Sequence, residues 1–313
     1  MRADEIAASY QRLAAAIGAD ARDVDVVREL AIRCGWGARS TAAPLLPSGM
    51  SHGVPWGLSI AAGQPELRVF VEAQADPAGP TSYWDAAHDV VAFTAEQGAY
   101  VDHLRAMTRD LHATAAMPLR MWHAVAFDPR RPERAARWHA YVCIPPARPE
   151  LAALLLERCG VEMPVLRPQD RITIVSVDLV VQGRIKAYVL MPDAPLDAVA
   201  ALHDRAEAAV PGDVAQFGTA MLGDVRPIWW LACLGFATGA RAPATCALHF
   251  GVPRHVDEPT ARSRIRALLD RCGLDAHAWQ RAADALGAHH FVSFQRLAGA
   301  PRVTTYFLPE VVR

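Results

Sequence analysis

The sequence predicts an α+β protein (α/β in the broad sense), built as a closed ten-stranded antiparallel β-barrel surrounded by helices. The first observation is an order of helix, helix, strand, strand that repeats about five times along the chain. The second is a run of letters that recurs without a gap, as Arg137-Trp-His-Ala-Tyr-Val-Cys-Ile-Pro145 and Arg184-Ile-Lys-Ala-Tyr-Val-Leu-Met-Pro192. The third is that the strands come in adjacent pairs, and a series of antiparallel hairpins leaves exposed edges unless the sheet closes. We therefore expect one barrel domain over residues 1–313.

The helices of each repeat are predicted from apolar residues at helical spacing, and the third helical pair is shortened. They cover residues 3–18, 23–34, 82–96, 99–112, 149–159, 196–209, 213–222, 258–272 and 275–286. The predicted strands cover residues 56–62, 67–74, 119–127, 137–144, 171–181, 184–191, 228–238, 245–252, 291–297 and 302–308. A loop rich in Pro, Ser and Gly lies at residues 43–53. We expect the helices outside the barrel and the polar strand faces around a lumen wide enough for a ligand.

Composition excludes several classes of protein. The chain has 313 residues, is 52% hydrophobic and carries a formal net charge of −1, whereas a general nucleic-acid binder shows a basic excess. No apolar run is long enough to span a bilayer, and the charged opening Met1-Arg-Ala-Asp-Glu5 predicts no signal peptide. Six scattered cysteines without a CxxC pair, and twelve histidines without ligand spacing, predict a reduced, cytoplasmic protein with no metal site.

The strand that begins at residue 184 is the main functional signal. With a period of two, Arg184, Lys186 and Tyr188 fall on one face, which has to meet water or an anion. A turn at Gln182-Gly183 brings Asp178 back towards the two cations, where its carboxylate is expected to hold them in place. Several such strands around one lumen would form a site.

These motifs resemble those of the aromatic prenyltransferases of the dimethylallyltryptophan synthase type, in their shorter bacterial form. The resemblance is carried by Leu67-Arg-Val-Phe-Val-Glu-Ala-Gln74 and by Asp178-Leu-Val with Arg184-x-Lys186-x-Tyr188. Weaker support comes from Trp138-His-Ala-Tyr141 and from Val303-Thr-Thr-Tyr-Phe-Leu-Pro309. The family has repeated α-β-β-α units around a ten-stranded barrel (the ABBA fold), as the repeats of this chain predict.

The resemblance implies transfer of a dimethylallyl or geranyl group from its diphosphate to an electron-rich aromatic ring, commonly indole, without a metal or other cofactor. The residues implied to bind the diphosphate are Arg68, His139, Arg184 and Lys186. The residues implied to shield the allylic cation are Tyr141, Tyr188, Tyr306 and His249. The expected partners are therefore a prenyl diphosphate and an aromatic acceptor, with no nucleic acid and no membrane.

The sequence departs from the family pattern at two positions. Gly57 stands where the family has a glutamate that binds the indole N–H, and His139 stands where a lysine is expected. The acceptor is expected near Trp56, Gly57, Ser59, Glu72 and Trp230. Trp229 and Trp230 adjoin in one strand and must face opposite ways. Arg302 is interpreted as a surface charge.

Three alternatives stay open at this point. A large apolar barrel can hold an aromatic ligand without catalysis, and Gly57 permits this because it lacks the family's carboxylate. The acceptor can also be a phenol or another amino-acid side chain. An α/β propeller of the amidinotransferase type is disfavoured, because it needs a reactive cysteine near the end of the chain and the last cysteine, Cys272, lies within a predicted helix.

Overall fold

The computed structural model describes residues 3–36, 56–62, 66–73, 83–111, 120–131, 136–225 and 227–307. The predicted loop at 43–53 and the ends of several predicted elements, at residues 74, 82, 112, 119 and 308, lie outside the described residues. In the described part of the chain, no helix is both long and apolar enough to cross a membrane.

The helices and strands follow the predicted order. The helices are α1 (Ala3–Ala16), α2 (Val24–Ala31, followed by a π-helical turn at Ile32–Trp36), α3 (Tyr83–Glu96), α4 (Asp102–Thr108), α5 (Glu150–Arg158), α6 (Leu196–His203), α7 (Asp213–Leu222), α8 (Val252–His255), α9 (Glu258–Arg271) and α10 (Ala276–Leu286). The strands are β1 (Trp56–Ala62), β2 (Glu66–Glu72), β3 (Arg120–Phe127), β4 (Arg137–Cys143), β5 (Arg171–Asp178), β6 (Ile185–Pro192), β7 (Trp229–Phe236), β8 (Thr245–Gly251), β9 (His289–Leu297) and β10 (Ala300–Phe307).

Two helices are shorter than the sequence predicts. The helix predicted over 99–112 covers Asp102–Thr108. The helix predicted over 196–209 ends at His203, because the backbone N–H groups of Glu207 and Ala208 donate to the carbonyls of Pro243 and Ala244. These bonds hold the chain against the segment that leads into β8, so the amides are satisfied outside a helix.

The strands form one closed antiparallel barrel in which each strand pairs with its neighbours in sequence, and β1 pairs with both β2 and β10. Closure is made by β1 and β10 through pairs such as Ser59 with Tyr306. Because closure removes every exposed edge, all ten strands hydrogen-bond on both sides. The ten-stranded barrel with surrounding helices confirms the fold predicted from the repeats.

Each strand presents one side to the helices and the other to the lumen. On β2, Leu67, Val69 and Val71 are buried in the hydrophobic core between barrel and helices. Burial of side chains of this size contributes about 1.5–3 kcal/mol each relative to exposure. The residues that alternate with them and face the lumen are Glu66, Arg68, Phe70 and Glu72. The polar and aromatic side chains of the strand therefore line the lumen, and its aliphatic side chains stabilise the fold by packing against the helices.

The β5–β6 hairpin is closed by a tight turn that needs glycine. The N–H of Gly183 donates to the carbonyl of Val180, and the N–H of Asp178 donates to the carbonyl of Arg184. A Cβ atom at position 183 would lie 1.9 Å from the carbonyl oxygen of Asp178. This close approach fixes the position of Asp178 relative to Arg184.

We predict that Gly183→Ala lowers the free energy of unfolding by about 2 kcal/mol, because the added methyl group forces the turn open. Urea denaturation measures the change. The control is Gln182→Ala, an exposed position in the same turn, which should change stability by less than about 0.5 kcal/mol. Equal stability of the two variants would contradict the proposed packing.

Candidate active site

Asp178 organises one half of the charged end of the lumen. Its carboxylate accepts hydrogen bonds from Lys186 and from Nε of Arg184 at 3.0 Å, and its Oδ1 lies 2.6 Å from Nδ1 of His139. Asp178 and Lys186 are each only 8% exposed. The turn at Gly183 brings β5 and β6 together so that carboxylate and cations meet, as the sequence predicts for Asp178.

Glu66 organises the other half of the charged end. Its Oε1 accepts from Arg68 at 2.5 Å and from Arg302 at 2.8 Å, and its Oε2 accepts from Arg137. Glu66 is 3% exposed. Strand β4 joins the two halves, because Arg137 binds Glu66 and His139, two residues further on, binds Asp178.

The next layer of the lumen is an aromatic belt formed by Phe70, Tyr141, Tyr188, His249 and Tyr306. The ring centroids of Tyr141 and Tyr188 are 6.1 Å apart, those of Tyr188 and His249 5.8 Å, and those of His249 and Tyr306 5.8 Å. Phe70 lies 5.8 Å from Tyr306, and Tyr141 packs against the cluster that contains Phe70. The belt therefore surrounds the lumen with π faces, which attract a cation and are poor nucleophiles.

Gly57 lies under the ring of Phe70. A Cβ atom at position 57 would be 2.5 Å from Cε2 of Phe70 and 3.2 Å from the carbonyl oxygen of Phe307. A side chain at position 57 would have to displace the ring. The ring of Phe70, on the neighbouring strand, therefore occupies the space in which the resemblance predicts an acceptor-binding glutamate.

A second carboxylate lies beyond the aromatic belt, at the other end of β2. Glu72 is fully buried, pairs in the sheet with Trp122, and has Oε1 3.5 Å from a guanidinium nitrogen of Arg120. It is two residues further along the same face of β2 as Phe70. The lumen thus carries a negative group on the side of the belt opposite to the charged end.

Several polar atoms that face the charged end have no hydrogen-bond partner among the described residues. They are Nε of Arg68, Nε of Arg302, Nε2 of His139 and Oγ of Ser176, all buried. A buried polar atom without a partner costs about 1–3 kcal/mol, so a group of them around one space indicates a site for a polar ligand.

His139 is neutral at physiological pH because burial lowers its pKa to about 4, although Asp178 opposes the shift. Since Asp178 is ionised, Nδ1 of His139 must carry the proton that the carboxylate accepts, and Nε2 presents a lone pair to the lumen. In this tautomer His139 accepts a hydrogen bond from a ligand. The predicted role as a donor to phosphate requires a second proton on the ring.

The structure brings most of the predicted site residues to the lumen. Arg68, Lys186 and His139 lie at the charged end, where Arg184 reaches Asp178 from the turn, and Tyr141, Tyr188, Tyr306 and His249 lie in the aromatic belt. Gly57, Ser59 and Glu72 also face the lumen. The functional roles of these residues stay predictions.

Trp56 and Trp230 do not line the lumen, and their assignment to the acceptor site was wrong. Both are buried in the hydrophobic core outside the barrel. Trp230 packs 6.1 Å from Phe217 of α7, measured between ring centroids. Trp229, the adjacent residue, faces inward, since its ring occupies the space that a Cβ atom at Gly251 would need.

Arg302 was also misplaced, because it is not a surface charge. It is 6% exposed and donates to Glu66 inside the lumen. The sequence analysis also missed Glu66, Arg137 and Phe70. The amino-acid sequence contains one further indication of the site, because Lys186 is the only lysine in a chain with 32 Lys and Arg residues. A single lysine among so many arginines indicates a position at which the amine itself is needed.

Prenyltransferases of known structure share this barrel. The chain aligns with the 6-dimethylallyltryptophan synthase from Micromonospora olivasterospora at 25% identity with a TM-score of 0.83, which covers 98% of this chain and 97% of that one. It aligns with the 5-dimethylallyltryptophan synthase from Streptomyces coelicolor at 22% identity with a TM-score of 0.84, covering 98% and 95% of the two chains. For the prenyltransferase PriB, the identity is 20%, the TM-score 0.83 and the coverage 98% and 96%.

The chain has the fold of the dimethylallyltryptophan synthases. The resemblance inferred from the motifs is thereby confirmed. No family model and no curated protein matches the chain. Among the described residues, no group of three or more His, Cys, Asp or Glu side chains is placed to hold a metal ion.

Burial also keeps two further histidines of the chain neutral. It lowers the pKa of His249 in the aromatic belt to about 3, with a further contribution from Arg68. It lowers the pKa of His123, on the outer side of β3, to about 3. In the unfolded chain each histidine titrates near pH 6.5. Below that pH the unfolded state binds protons that the folded state does not, so lower pH favours unfolding.

We predict that stability falls as the pH is lowered from 6.5 to 5. The slope for each of His123, His139 and His249 approaches about 1.4 kcal/mol per pH unit towards pH 5, where the unfolded histidine is protonated. Urea denaturation at several pH values measures the slope. Replacing His249 with Phe removes one titrating group but keeps a ring in the belt, so the slope should decrease by about 1.4 kcal/mol per unit. The same slope in both proteins would show that His249 is protonated in the folded state.

Proposed function

We propose that this chain is an aromatic prenyltransferase that transfers a dimethylallyl group from dimethylallyl diphosphate to an electron-rich ring, with an indole or tryptophan derivative as acceptor. One observation carries the proposal. Along a single closed lumen, a charged end rich in arginine is followed directly by a closed aromatic belt. Formation of an allylic cation from a diphosphate needs both environments. The diphosphate of the donor would lie at the charged end, and its allylic group would lie in the belt.

The charged end supports ionisation of the donor. Five cationic side chains and two carboxylates leave it with a net charge of +3, which suits a leaving diphosphate. Positive groups that are already in place stabilise the charge that develops on the leaving oxygen. We assign this role to Arg68, Arg184 and Lys186, and add Arg302. On this basis turnover needs no divalent metal.

The aromatic belt supports the second step, in which the acceptor ring attacks the allylic carbon. Tyr141, Tyr188 and Tyr306 are held as neutral phenols, since burial raises the pKa of each. A neutral phenol face stabilises the cation, whereas a phenolate oxygen would be alkylated. The closed barrel would also keep water away from the cation, which water would otherwise convert to an alcohol.

The acceptor would lie beyond the belt, near Glu72. Ser59, which was also expected near the acceptor, pairs in the sheet with Arg68 and lies at the charged end. Glu72 lies on the same face of β2 as Phe70, two residues away, and Phe70 pairs in the sheet with Gly57, which has no carboxylate. Glu72 can accept a hydrogen bond from an indole N–H. An indole acceptor is also supported by the Micromonospora synthase, whose structure is described in complex with DMASPP and Trp. A cytoplasmic location and a single domain over residues 1–313 complete the proposal.

The test is an incubation of the protein with dimethylallyl or geranyl diphosphate, with and without EDTA, against tryptophan, simple indoles, phenols and tyrosine, read by mass spectrometry. We expect a five-carbon prenyl group on an indole, in equal yield with EDTA. Binding of acceptor and donor without any product would favour the noncatalytic barrel. A product only on phenols would keep the transferase and replace the acceptor.

Lys186 provides the matched test of the diphosphate site. Lys186→Gln keeps a hydrogen bond to Asp178 but removes the charge, and we expect kcat/KM to fall by about 100-fold or more. Lys186→Arg should lose less. Because Lys186 is the only lysine, an amine-directed reagent can modify a single side chain, and inorganic pyrophosphate should protect it. Wild-type turnover by a folded Lys186→Gln variant would remove Lys186 from the site.

Glu72 provides the test of the acceptor site. Glu72→Gln keeps the shape but weakens the hydrogen bond to an N–H group, so we expect the KM for the indole acceptor to rise about tenfold, with the KM for the diphosphate unchanged. Steady-state kinetics with each substrate varied in turn measures both. An equal change in both KM values would indicate a general loss of structure instead.

A further inference from the structure

Glu66 holds three guanidinium groups at the point where the proposed function needs them free for a diphosphate. Its two oxygens accept from Arg68, Arg137 and Arg302. Burial alone would raise the pKa of this carboxyl group, but the three arginines lower it below its usual range. Glu66 is therefore ionised at neutral pH. It is an anion inside the site proposed for the diphosphate.

We propose that Glu66 is an internal counter-anion that competes with the bound diphosphate and so limits the affinity of the lumen for it. This inference rests on the proposed function, because it assigns the ligand of the charged end. It concerns how tightly the ligand is held, which the transfer reaction itself does not specify. The consequence for the enzyme is that product diphosphate can leave a buried, strongly positive site.

The donor atoms of Arg68 and Arg302 support the competition. Each arginine gives one terminal nitrogen to Glu66, while its Nε is buried and has no partner among the described residues. A diphosphate that binds these Nε atoms would share both guanidinium groups with Glu66. The carboxylate and the ligand would then lie on adjacent edges of the same cations, where like charges repel.

The charges explain why a competitor is present at all. Without Glu66 and Asp178, the buried cations Arg68, Lys186 and Arg302 would lie close together without a counter-charge, and their mutual repulsion and desolvation would destabilise the folded barrel. With the two carboxylates, the charged end tolerates the cations and keeps a net positive charge. Asp178 is bound on three sides by Lys186, Arg184 and His139. Glu66 is bound by three arginines, and two of them, Arg68 and Arg302, are those that a ligand would share.

The experiment measures binding of inorganic pyrophosphate to the wild-type protein and to Glu66→Gln by isothermal titration calorimetry. Glutamine keeps the size and one acceptor oxygen but removes the charge. We expect Glu66→Gln to bind pyrophosphate at least about tenfold more tightly. We also expect its Tm to be lower in buffer and to rise more with pyrophosphate than that of the wild-type protein, because ligand binding stabilises the folded state.

Asp213→Asn is the matched control. Asp213 is 2% exposed and paired with Arg296 by three hydrogen bonds, so its substitution also breaks a buried carboxylate–arginine pair, but outside the charged end. We expect this variant to lose stability and to bind pyrophosphate within about twofold of the wild-type protein. Glu66→Asp, which keeps the charge, should also stay close to the wild-type affinity.

Unchanged or weaker pyrophosphate binding by folded Glu66→Gln would overturn the proposal and make Glu66 a residue that only positions the arginines. A Glu66→Gln chain that does not stay folded in buffer is refolded with pyrophosphate or with sodium chloride of equal ionic strength. Recovery with pyrophosphate alone supports the proposal, and recovery with neither overturns it. All of these measurements omit donor and acceptor, so an absence of prenyl transfer bears only on the proposed function.

Discussion

The pairing of two buried carboxylates with five cations is the interaction on which the lumen depends. A guanidinium or ammonium group inside a barrel costs several kcal/mol of lost hydration unless a partner replaces the water. Glu66 and Asp178 supply that partner from two strands, β2 and β5. The geometry is fixed by the backbone, since the turn at Gly183 sets Asp178 against Arg184. A barrel with the same cations but no acids would have to admit water, and an allylic cation could not survive there.

The aromatic belt follows from the same strand geometry. Residues two apart on a strand share a face about 6.6 Å apart along it, so the aromatic layer begins one such step beyond the charged layer. Arg68 is followed by Phe70, His139 by Tyr141, and Lys186 by Tyr188. Three hairpins thus repeat the same order of a nitrogen-bearing polar side chain and a ring, and closure of the sheet turns the repeated step into two stacked rings of side chains. The function proposed for the lumen is therefore a property of the repeat, carried out by several strands together.

The sequence was sufficient to predict a contact wherever the two residues are close in the chain or belong to the repeat. Asp178 and Lys186 are eight residues apart on one hairpin, so a period of two and one turn predicted their contact. The sequence was insufficient where both faces of a strand are buried. Trp229 and Trp230 occupy opposite faces, and only the contact of Trp230 with α7 decides which one faces outward. Arg302 and Glu66 are 236 residues apart, and no periodicity relates them. The single lysine of the chain, Lys186, was a further indication in the sequence of the charged end of the lumen.

The glycine at position 57 has a structural consequence that reaches beyond one position. Since Phe70 occupies the space over Gly57, the belt has a ring where the resemblance predicts a carboxylate that holds the acceptor. The carboxylate of Glu72 lies on the same face of β2, about 6.6 Å further from the charged end. An acceptor that stacks on Phe70 and donates its N–H to Glu72 would be shifted along the lumen relative to one held at position 57. The ring carbon nearest the allylic cation would then differ, because a displaced ring presents another edge. The site of prenylation would thus depend on which strand carries the acid.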